Sequence, residues 1–308
     1  MASPLAEAEV VRVRASGKVN LSLRSGPRRP DGYHQLATVF QAVSVYDELD
    51  ARWAPPGEIS ISVAGEQAGL VPTGEANLAV RAARLLADEY GTGGLGAALE
   101  LRKAIPVTGG MAGGSADAAA ALLACSVLWD LDTSPDELLE LGARLGADVP
   151  FCLTGGTAMG TGRGDRLAPV LSRGTYHWVL ALNEGELSTP AVFARFDELR
   201  PSGSTDLTVP PDVLNALISG DAAALGRNLH NDLEEAAISL RPELSTMLRV
   251  GREIGALGAM VSGSGPTVAF LVADERAGID LSVGLASEGL GRVVRRVHGP
   301  VPGARLIS

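Results

Sequence analysis

Lysine is nearly missing from this 308-residue chain: of 26 basic side chains, only Lys18 and Lys103 are lysine. Cysteine is limited to Cys125 and Cys152, histidine to four residues, and aromatic side chains to 4%. Two cysteines in apolar surroundings make no disulfide framework and read as buried free thiols. Four scattered histidines without a Cys/His spacing argue against structural zinc. A positive balance is absent as well: the formal charge of −10 argues against nucleic-acid binding, which needs a basic footprint. It leaves room for a nucleotide held by local donors. No apolar run approaches the roughly 18 residues of a membrane span. The segment MASPLAEAEV has neither the basic nor the apolar region of a signal peptide. These absences read as a soluble cytoplasmic protein. There is also no G-x-x-x-x-G-K-[ST] loop, no H-x-D with D-F-G, no H-E-x-x-H and no G-x-S-x-G elbow.

What is present starts with bulk. Hydrophobic content of 46% is ample for cores built from Ala, Val and Leu, and the length suggests two domains. Because arginine carries nearly all the positive charge, a retained lysine points to a need specific to ammonium, a compact charge whose pKa burial can tune.

The central stretch is Pro106-Val107-Thr108-Gly109-Gly110-Met111-Ala112-Gly113-Gly114-Ser115-Ala116, which runs into an Ala-rich segment. Glycine frees the backbone, alanine favours helix, and a helix start offers unpaired N–H donors and the positive end of its dipole. Together they form a site for phosphate. The plainer reading is a glycine turn before a buried helix.

Around this stretch, alternation predicts two strand pieces over 10–23, interrupted by a bulge at Ser16-Gly17, with Lys18 and Asn20 on one face. Turn residues predict a loop over 24–33, followed by strands over 35–49 and 58–63. A helix is expected over 77–90 with Gly91 as its stop. Gly91-Thr92-Gly93-Gly94-Leu95-Gly96 matches G-x-G-x-x-G, but it follows a helix and precedes a strand over 97–101, so it reads as a linker. Ser134-Pro135-Asp136-Glu137 is a capping box opening a helix to Leu145. A glycine-rich hairpin over 154–167 then closes a first domain, 1–168. The second, 169–308, has a strand over 178–182, a loop over 183–189, a polar loop over 200–211, and helices over 212–219, 222–240 and 243–255. Strand–glycine turn–strand over 259–273, a helix over 276–287 and a strand over 292–297 complete an α+β domain of ferredoxin-like type.

Two polar residues stand in apolar surroundings. Asp148, in Gly146-Ala147-Asp148-Val149-Pro150-Phe151, is either a helix N-cap or a functional group. Lys18 poses the same choice, and an ion pair between them is the structural alternative.

These residues carry a resemblance. The loop at 106–120 resembles the phosphate loop of the GHMP kinases, and Val261-Ser262-Gly263-Ser264-Gly265-Pro266 resembles their C-terminal glycine motif. Lys18-Val19-Asn20-Leu21, Arg29-Pro30-Asp31-Gly32-Tyr33-His34, Leu145-Gly146-Ala147-Asp148-Val149-Pro150 and Thr189-Pro190-Ala191-Val192-Phe193 follow in family order. They narrow the resemblance to members that phosphorylate a cytidine-diphosphate-linked branched polyol in the non-mevalonate isoprenoid route. The resemblance implies a two-domain GHMP kinase fold, N-terminal ribosomal-protein-S5-domain-2-like and C-terminal ferredoxin-like. It implies ATP as co-substrate and Mg2+, no nucleic-acid or membrane partner, and a monomer or weak homodimer. By the same implication Asp148 is the general base and Lys18 its electrostatic partner. Residues 106–116 cradle the ATP phosphates, and the Ser115 hydroxyl is the candidate magnesium contact. Asn20 and Thr189 contact substrate, Tyr33 and Phe193 sandwich cytosine, and the His34 backbone reads the pyrimidine edge. Asp31 and His230 read as structural or surface groups, with a role on substrate hydroxyls left open for Asp31. Without the resemblance Tyr33 reads as a loop aromatic covering the core edge and Phe193 as ordinary helix packing.

The loop departs from the family pattern: Thr108 and Ala112 replace glycines, Met111 replaces leucine and Ala116 replaces a serine. If position 112 needs φ above zero, Ala costs about 1 kcal/mol or more there, so a different loop shape or weaker ATP affinity is expected. Two other readings compete: a homoserine- or mevalonate-type GHMP kinase, and a non-catalytic nucleotide binder on the same fold. R-x-D-G-Y-H and T-P-x-x-F oppose the first; retention of Lys18 with Asp148 opposes the second.

Overall fold

The structure is a computed structural model that describes residues 10–91, 94–182, 185, 187–204 and 206–308. The G-x-G-x-x-G stretch and the 183–189 loop therefore lie partly outside the described residues.

The first strand, β1 (Val11–Arg28), pairs along its length with β2 (His34–Trp53). It is one strand rather than two pieces. The bulge at Ser16-Gly17 is present as a register shift, and two further shifts bend the ribbon. The expected loop over 24–33 shrinks to 29–33, because Arg24 to Arg28 still find partners on β2. β2 is long enough to serve two neighbours. Its first half pairs β5 (Thr157–Gly162), and its second half pairs β4 (Ala97–Lys103). β3 (Ile59–Gly65) lies parallel to β4, and β6 (Arg166–Pro169) closes the hairpin with β5.

Helices α1 (Leu78–Glu89), α2 (Gly113–Leu128) and α3 (Pro135–Leu145) pack over this sheet. Asn77 caps α1 by accepting from the N–H groups of Ala79 and Val80. Ser134 caps α3 in a capping box with Glu137, as the sequence predicts. The α2 alanines 118–121 are fully buried. Their small size lets α1 and the β1–β2 ribbon approach the helix closely. The short α4 (Val149–Thr154) follows α3.

The second sheet has the order β11 (Val293–Gly299), β7 (Tyr176–Leu182), β10 (Val268–Val272), β9 (Gly258–Val261), antiparallel throughout. With α10 (Glu275–Ser287) crossing from β10 to β11, this is the ferredoxin-like arrangement. Helices α5 (Thr189–Leu199), α6 (Pro211–Ser219) and α9 (Glu243–Ile254) belong to this half.

One expected helix is not there. The stretch 222–240 divides into α7 (Ala222–Asn228), β8 (His230–Asn231) and α8 (Glu234–Leu240). β8 crosses to the first sheet and pairs parallel with Ser22 and Leu23 of β1. β12 (Arg305–Leu306) pairs with the same edge of β1, the one away from β2, nearer its start at Val13 and Arg14. The two sheets also share one apolar core: Trp178, Leu180, Leu271 and Val297 cluster with the α2 alanines. The Trp178 indole N–H donates to Gln41 Oε1 at 3.0 Å across the junction.

Candidate active site

The glycine loop descends from β4 and turns into α2 at Ala112, whose backbone is left-handed (φ 60°, ψ 33°). Thr108 is left-handed too, at φ 54°. Both stand where the family resemblance places glycine, so the strain anticipated at 112 is present; such a residue costs of order 1–3 kcal/mol. No side chain caps α2, which leaves the first N–H groups of the helix facing the cleft. Met111 is buried, and its carbonyl accepts from the Lys18 N–H at 3.2 Å, tying the loop to β1.

The C-terminal glycine turn closes on the same loop. Ser262 Oγ donates to the Gly110 carbonyl at 3.2 Å. A Cβ on Gly110 would lie 2.0 Å from the Ser262 carbonyl oxygen, and its φ is 72°. The turn is gripped from below by Asn231 of β8, whose Nδ2 donates to the carbonyls of Val261 (2.8 Å) and Gly263 (2.7 Å). On its other side Ser264 Oγ meets Thr189 Oγ1 at 2.8 Å, at the start of α5.

Lys18 and Asp148 converge beside this junction. Lys18 is 4% exposed, and its Nζ donates to Asn20 Oδ1 at 2.7 Å. Asn20 Nδ2 in turn donates to Thr38 Oγ1 (2.8 Å), which donates to the Ser22 carbonyl (2.7 Å). The Lys18 ammonium is thus oriented chiefly by Asn20, and the nearest Asp148 oxygen is 4.0 Å away. Asp148 occupies the N-cap position of α4 but makes no capping hydrogen bond, so its carboxylate is left to the cleft. Both residues line a cavity of about 670 Å³ together with Thr108, Gly109, Gly110 and Gly263.

A second cavity, about 450 Å³, shares Asp148, Thr189 and Phe193 with the first and adds Tyr33, His34, Ser115, Arg163 and Asp197. Tyr33 is 55% exposed, with the Arg163 guanidinium 5.3 Å from its ring centre. Arg163 is itself held by Asp165, at 3.0 Å and 2.8 Å, and by the Ala143 carbonyl. Phe193 is stacked on the His34 ring, centres 4.7 Å apart and planes at 25°. Asp31 receives the Tyr33 N–H and pairs with Arg29, a turn-forming role; His230 sits between Arg24 and Asp232.

Beneath the loop lies a buried cluster that the sequence did not reveal. Lys103 Nζ donates to Asp117 on α2 at 2.7 Å and also to Asp47 of β2. Asp47 accepts the N–H groups of Ala104 and Ile105 as well (2.6 and 2.9 Å). Burial pushes Asp117 up to about 8, and its Oδ1 has no partner among the described residues. Burial opposes the charge on Lys103, but Asp117 and Asp47 outweigh it and raise its pKa. Asp47 is anchored by two backbone donors as well as by Lys103, and burial makes Asp117 a carboxyl that holds its proton more readily than an exposed one. The cluster pins the strand exit and the first turns of α2 to one point, so it fixes both ends of the phosphate loop. Asp197, Asn231 and this cluster escaped sequence reasoning because their partners lie elsewhere along the chain, 14 residues away for Lys103 and Asp117, 30 for Asn231 and Val261, and 163 for Asp197 and His34.

A nucleotide-sized cleft, a helix start presented to it by a glycine loop, and a carboxylate beside an oriented ammonium define a small-molecule kinase. Comparison with known proteins agrees. Residues 77–156 match the GHMP kinases N terminal domain, and residues 213–289 match the GHMP kinases C terminal family. The 4-diphosphocytidyl-2-C-methyl-D-erythritol kinase of Cutibacterium acnes is 52% identical over 96% of this chain and 97% of its own. That of Nocardia farcinica is 54% identical over 97% and 96%. A crystal structure of 4-(cytidine 5'-diphospho)-2C-methyl-D-erythritol kinase superposes with a TM-score of 0.76 at 33% identity, covering 93% of this chain and 98% of the other. The chain belongs to the GHMP kinases and, within them, to the 4-diphosphocytidyl-2-C-methyl-D-erythritol kinase family. ATP is the phosphoryl donor of such a kinase.

Proposed function

We propose that this protein transfers the γ-phosphoryl group of ATP to the 2-hydroxyl of 4-diphosphocytidyl-2-C-methyl-D-erythritol, with Asp148 as general base and Lys18 as its electrostatic partner. The observation that carries this reading is the uncapped Asp148 carboxylate, which stands 4.0 Å from a lysine ammonium beside the phosphate loop. The substrate oxygen attacks phosphorus as its proton passes to Asp148. The bond from phosphorus to the bridging oxygen breaks, and ADP leaves with that electron pair. Lys18 offsets the charge on the phosphoryl oxygens, and Asn20 keeps it aimed. The N–H groups at 109–115 hold the donor phosphates.

Magnesium fits the donor set in one way. No group of three or more His, Cys, Asp or Glu among the described residues could cage a metal, whereas Ser115 lines the same cavity as Asp148. A magnesium ion would therefore be carried by the ATP phosphates, with the Ser115 hydroxyl as a protein contact, and would neutralise phosphate charge. Tyr33 and Phe193 supply the stacking faces for cytosine, the His34 backbone its edge recognition, and Thr189 a substrate contact. We assign residues 1–168 to the N-terminal domain and 169–308 to the C-terminal domain, and read the protein as a cytoplasmic monomer or weak homodimer. No described helix is long and apolar enough to cross a membrane.

The test is a coupled ADP-release assay offering the cytidine-linked polyol, mevalonate and homoserine in turn. Turnover is expected with the first alone. Asp148→Asn lowers kcat by about 10²–10⁴-fold, the worth of general-base catalysis, while ATP affinity stays nearly unchanged. Survival of turnover in that variant removes the base assignment.

A further inference from the structure

The His34 ring is held on three sides by one helix face. Phe193, Phe196 and Asp197 of α5 stand at i, i+3 and i+4 and so project together. Phe193 lies flat on the imidazole at 4.7 Å, and Phe196 meets it edge-on at 6.1 Å and 77°. Asp197 Oδ1 accepts from His34 Nε2 at 2.8 Å, which fixes the protonated nitrogen and the ring plane. His34 opens β2 and is paired with Arg28 of β1, so its backbone belongs to the first sheet. The ring is thus anchored at its Cα by one half of the molecule and at its far nitrogen by the other.

We propose that Asp197 is a positioning residue for the nucleobase: by fixing the His34 imidazole it holds Phe193 as a flat wall of the slot that Tyr33 shares. This rests on the cytidine reading above. A stacking wall serves a base only if its plane is set beforehand; a ring that must be ordered on binding loses affinity to that ordering. Phe193 has one face against His34, and it lines the cavity with Tyr33. With the imidazole free to turn, Phe193 loses the surface that sets its tilt. Asp197 is partly exposed, with 27% of its side-chain surface accessible, while the His34 side chain it holds is buried, with 5% accessible. Its effect on base recognition is therefore separated from any effect on the fold by comparing the two nucleotides in the same variant.

The experiment is calorimetric titration of cytidine 5'-diphosphate into wild type, Asp197→Ala and Asp197→Asn, each with saturating non-hydrolysable ATP analogue blocking the donor site. The analogue is titrated separately. Asp197→Ala is expected to weaken cytidine diphosphate about tenfold or more, the weight of one base-stacking contact, with analogue affinity unchanged. Asp197→Asn keeps an acceptor oxygen and recovers most of the loss. In turnover, Asp197→Ala raises KM for the cytidine-linked substrate with little change in kcat. Unchanged cytidine diphosphate binding in Asp197→Ala, or equal loss of both nucleotides, overturns the assignment. Failure of the wild type to bind cytidine diphosphate overturns the cytidine reading and this proposal with it.

Discussion

Replacing Lys103 by methionine tests whether the cluster under the phosphate loop is dry and charged. Lys103 is 3% exposed and faces Asp47 at 0% and Asp117 at 3%. Methionine keeps nearly the same length and removes only the ammonium. Two carboxyl groups are then left facing each other without a cation, and Asp47 stays tied to the N–H groups of Ala104 and Ile105. Breaking a buried pair in this way costs about 3–5 kcal/mol. At about 2–4 °C per kcal/mol for a chain somewhat smaller than this one, Tm falls by about 10 °C. Thermal unfolding followed by circular dichroism at pH 7.5 measures it. Adding Asp117→Asn to Lys103→Met removes the carboxyl with the unpaired oxygen, and about half of the loss returns. A single variant that unfolds within about 2 °C of wild type would show that water already reaches the cluster, and would sink the argument that it pins the loop.

Gly110→Ala puts a methyl 2.0 Å from the Ser262 carbonyl at a left-handed backbone position, so loop and turn must part. KM for ATP rises and kcat falls together in steady-state kinetics. Gly57→Ala is the control: its φ is 78° with nothing within 4 Å of the added carbon, so it costs about 1 kcal/mol of stability and leaves kinetics alone. Asp232 tests pH linkage. Burial opposes its ionisation, but the hydrogen bonds from His230 and the Ser25 N–H and the Arg24 charge win, so its pKa lies below the usual carboxylate value. Its contribution is present above the unfolded carboxylate pKa of about 4 and is lost as pH falls through the lower folded value. Asp232→Asn is therefore less stable than wild type to urea at pH 7, and the gap narrows as pH drops toward and below about 4.

Local chemistry wrote some elements plainly. Ser134-Pro135-Asp136-Glu137 contains everything needed to start α3, and the structure shows both halves of the capping box. The strand–turn–strand at 258–272 and the bulge at Ser16-Gly17 were legible for the same reason. Where pairing with a distant segment decides, the sequence is mute. Residues 222–225 and 233–240 are good helix formers and Gly226, Asn228, Asn231 and Asp232 between them are not, but that His230 and Asn231 leave the helix to lie against Ser22 and Leu23 of β1 is decided by a partner more than 200 residues earlier. Ser25-Gly26-Pro27 has the composition of a turn, but β2 runs alongside and keeps it extended. In the site, Lys18 and Asp148 could be singled out because each is polar in apolar surroundings. Asp117, between Ala116 and the alanines 118–121, carries the same signal; Asp47, between Tyr46 and Glu48, could not be singled out, since its apolar surroundings exist only after folding. Nor could Asn231, which looks like any helix-interrupting asparagine until the glycine turn it grips is in place.

The outermost pairing of β1 belongs to residues 305 and 306, which reach Val13 and Arg14 from the far end of the numbering. During synthesis the far flank of β1 is therefore closed in two steps, at Ser22 and Leu23 by β8 and at Val13 and Arg14 only once residues 305 and 306 have been added. An unpaired flank of this kind invites strand addition from other chains. Until residues 305 and 306 are in place, the Val13–Arg14 end of β1 is the part of that strand open to such addition.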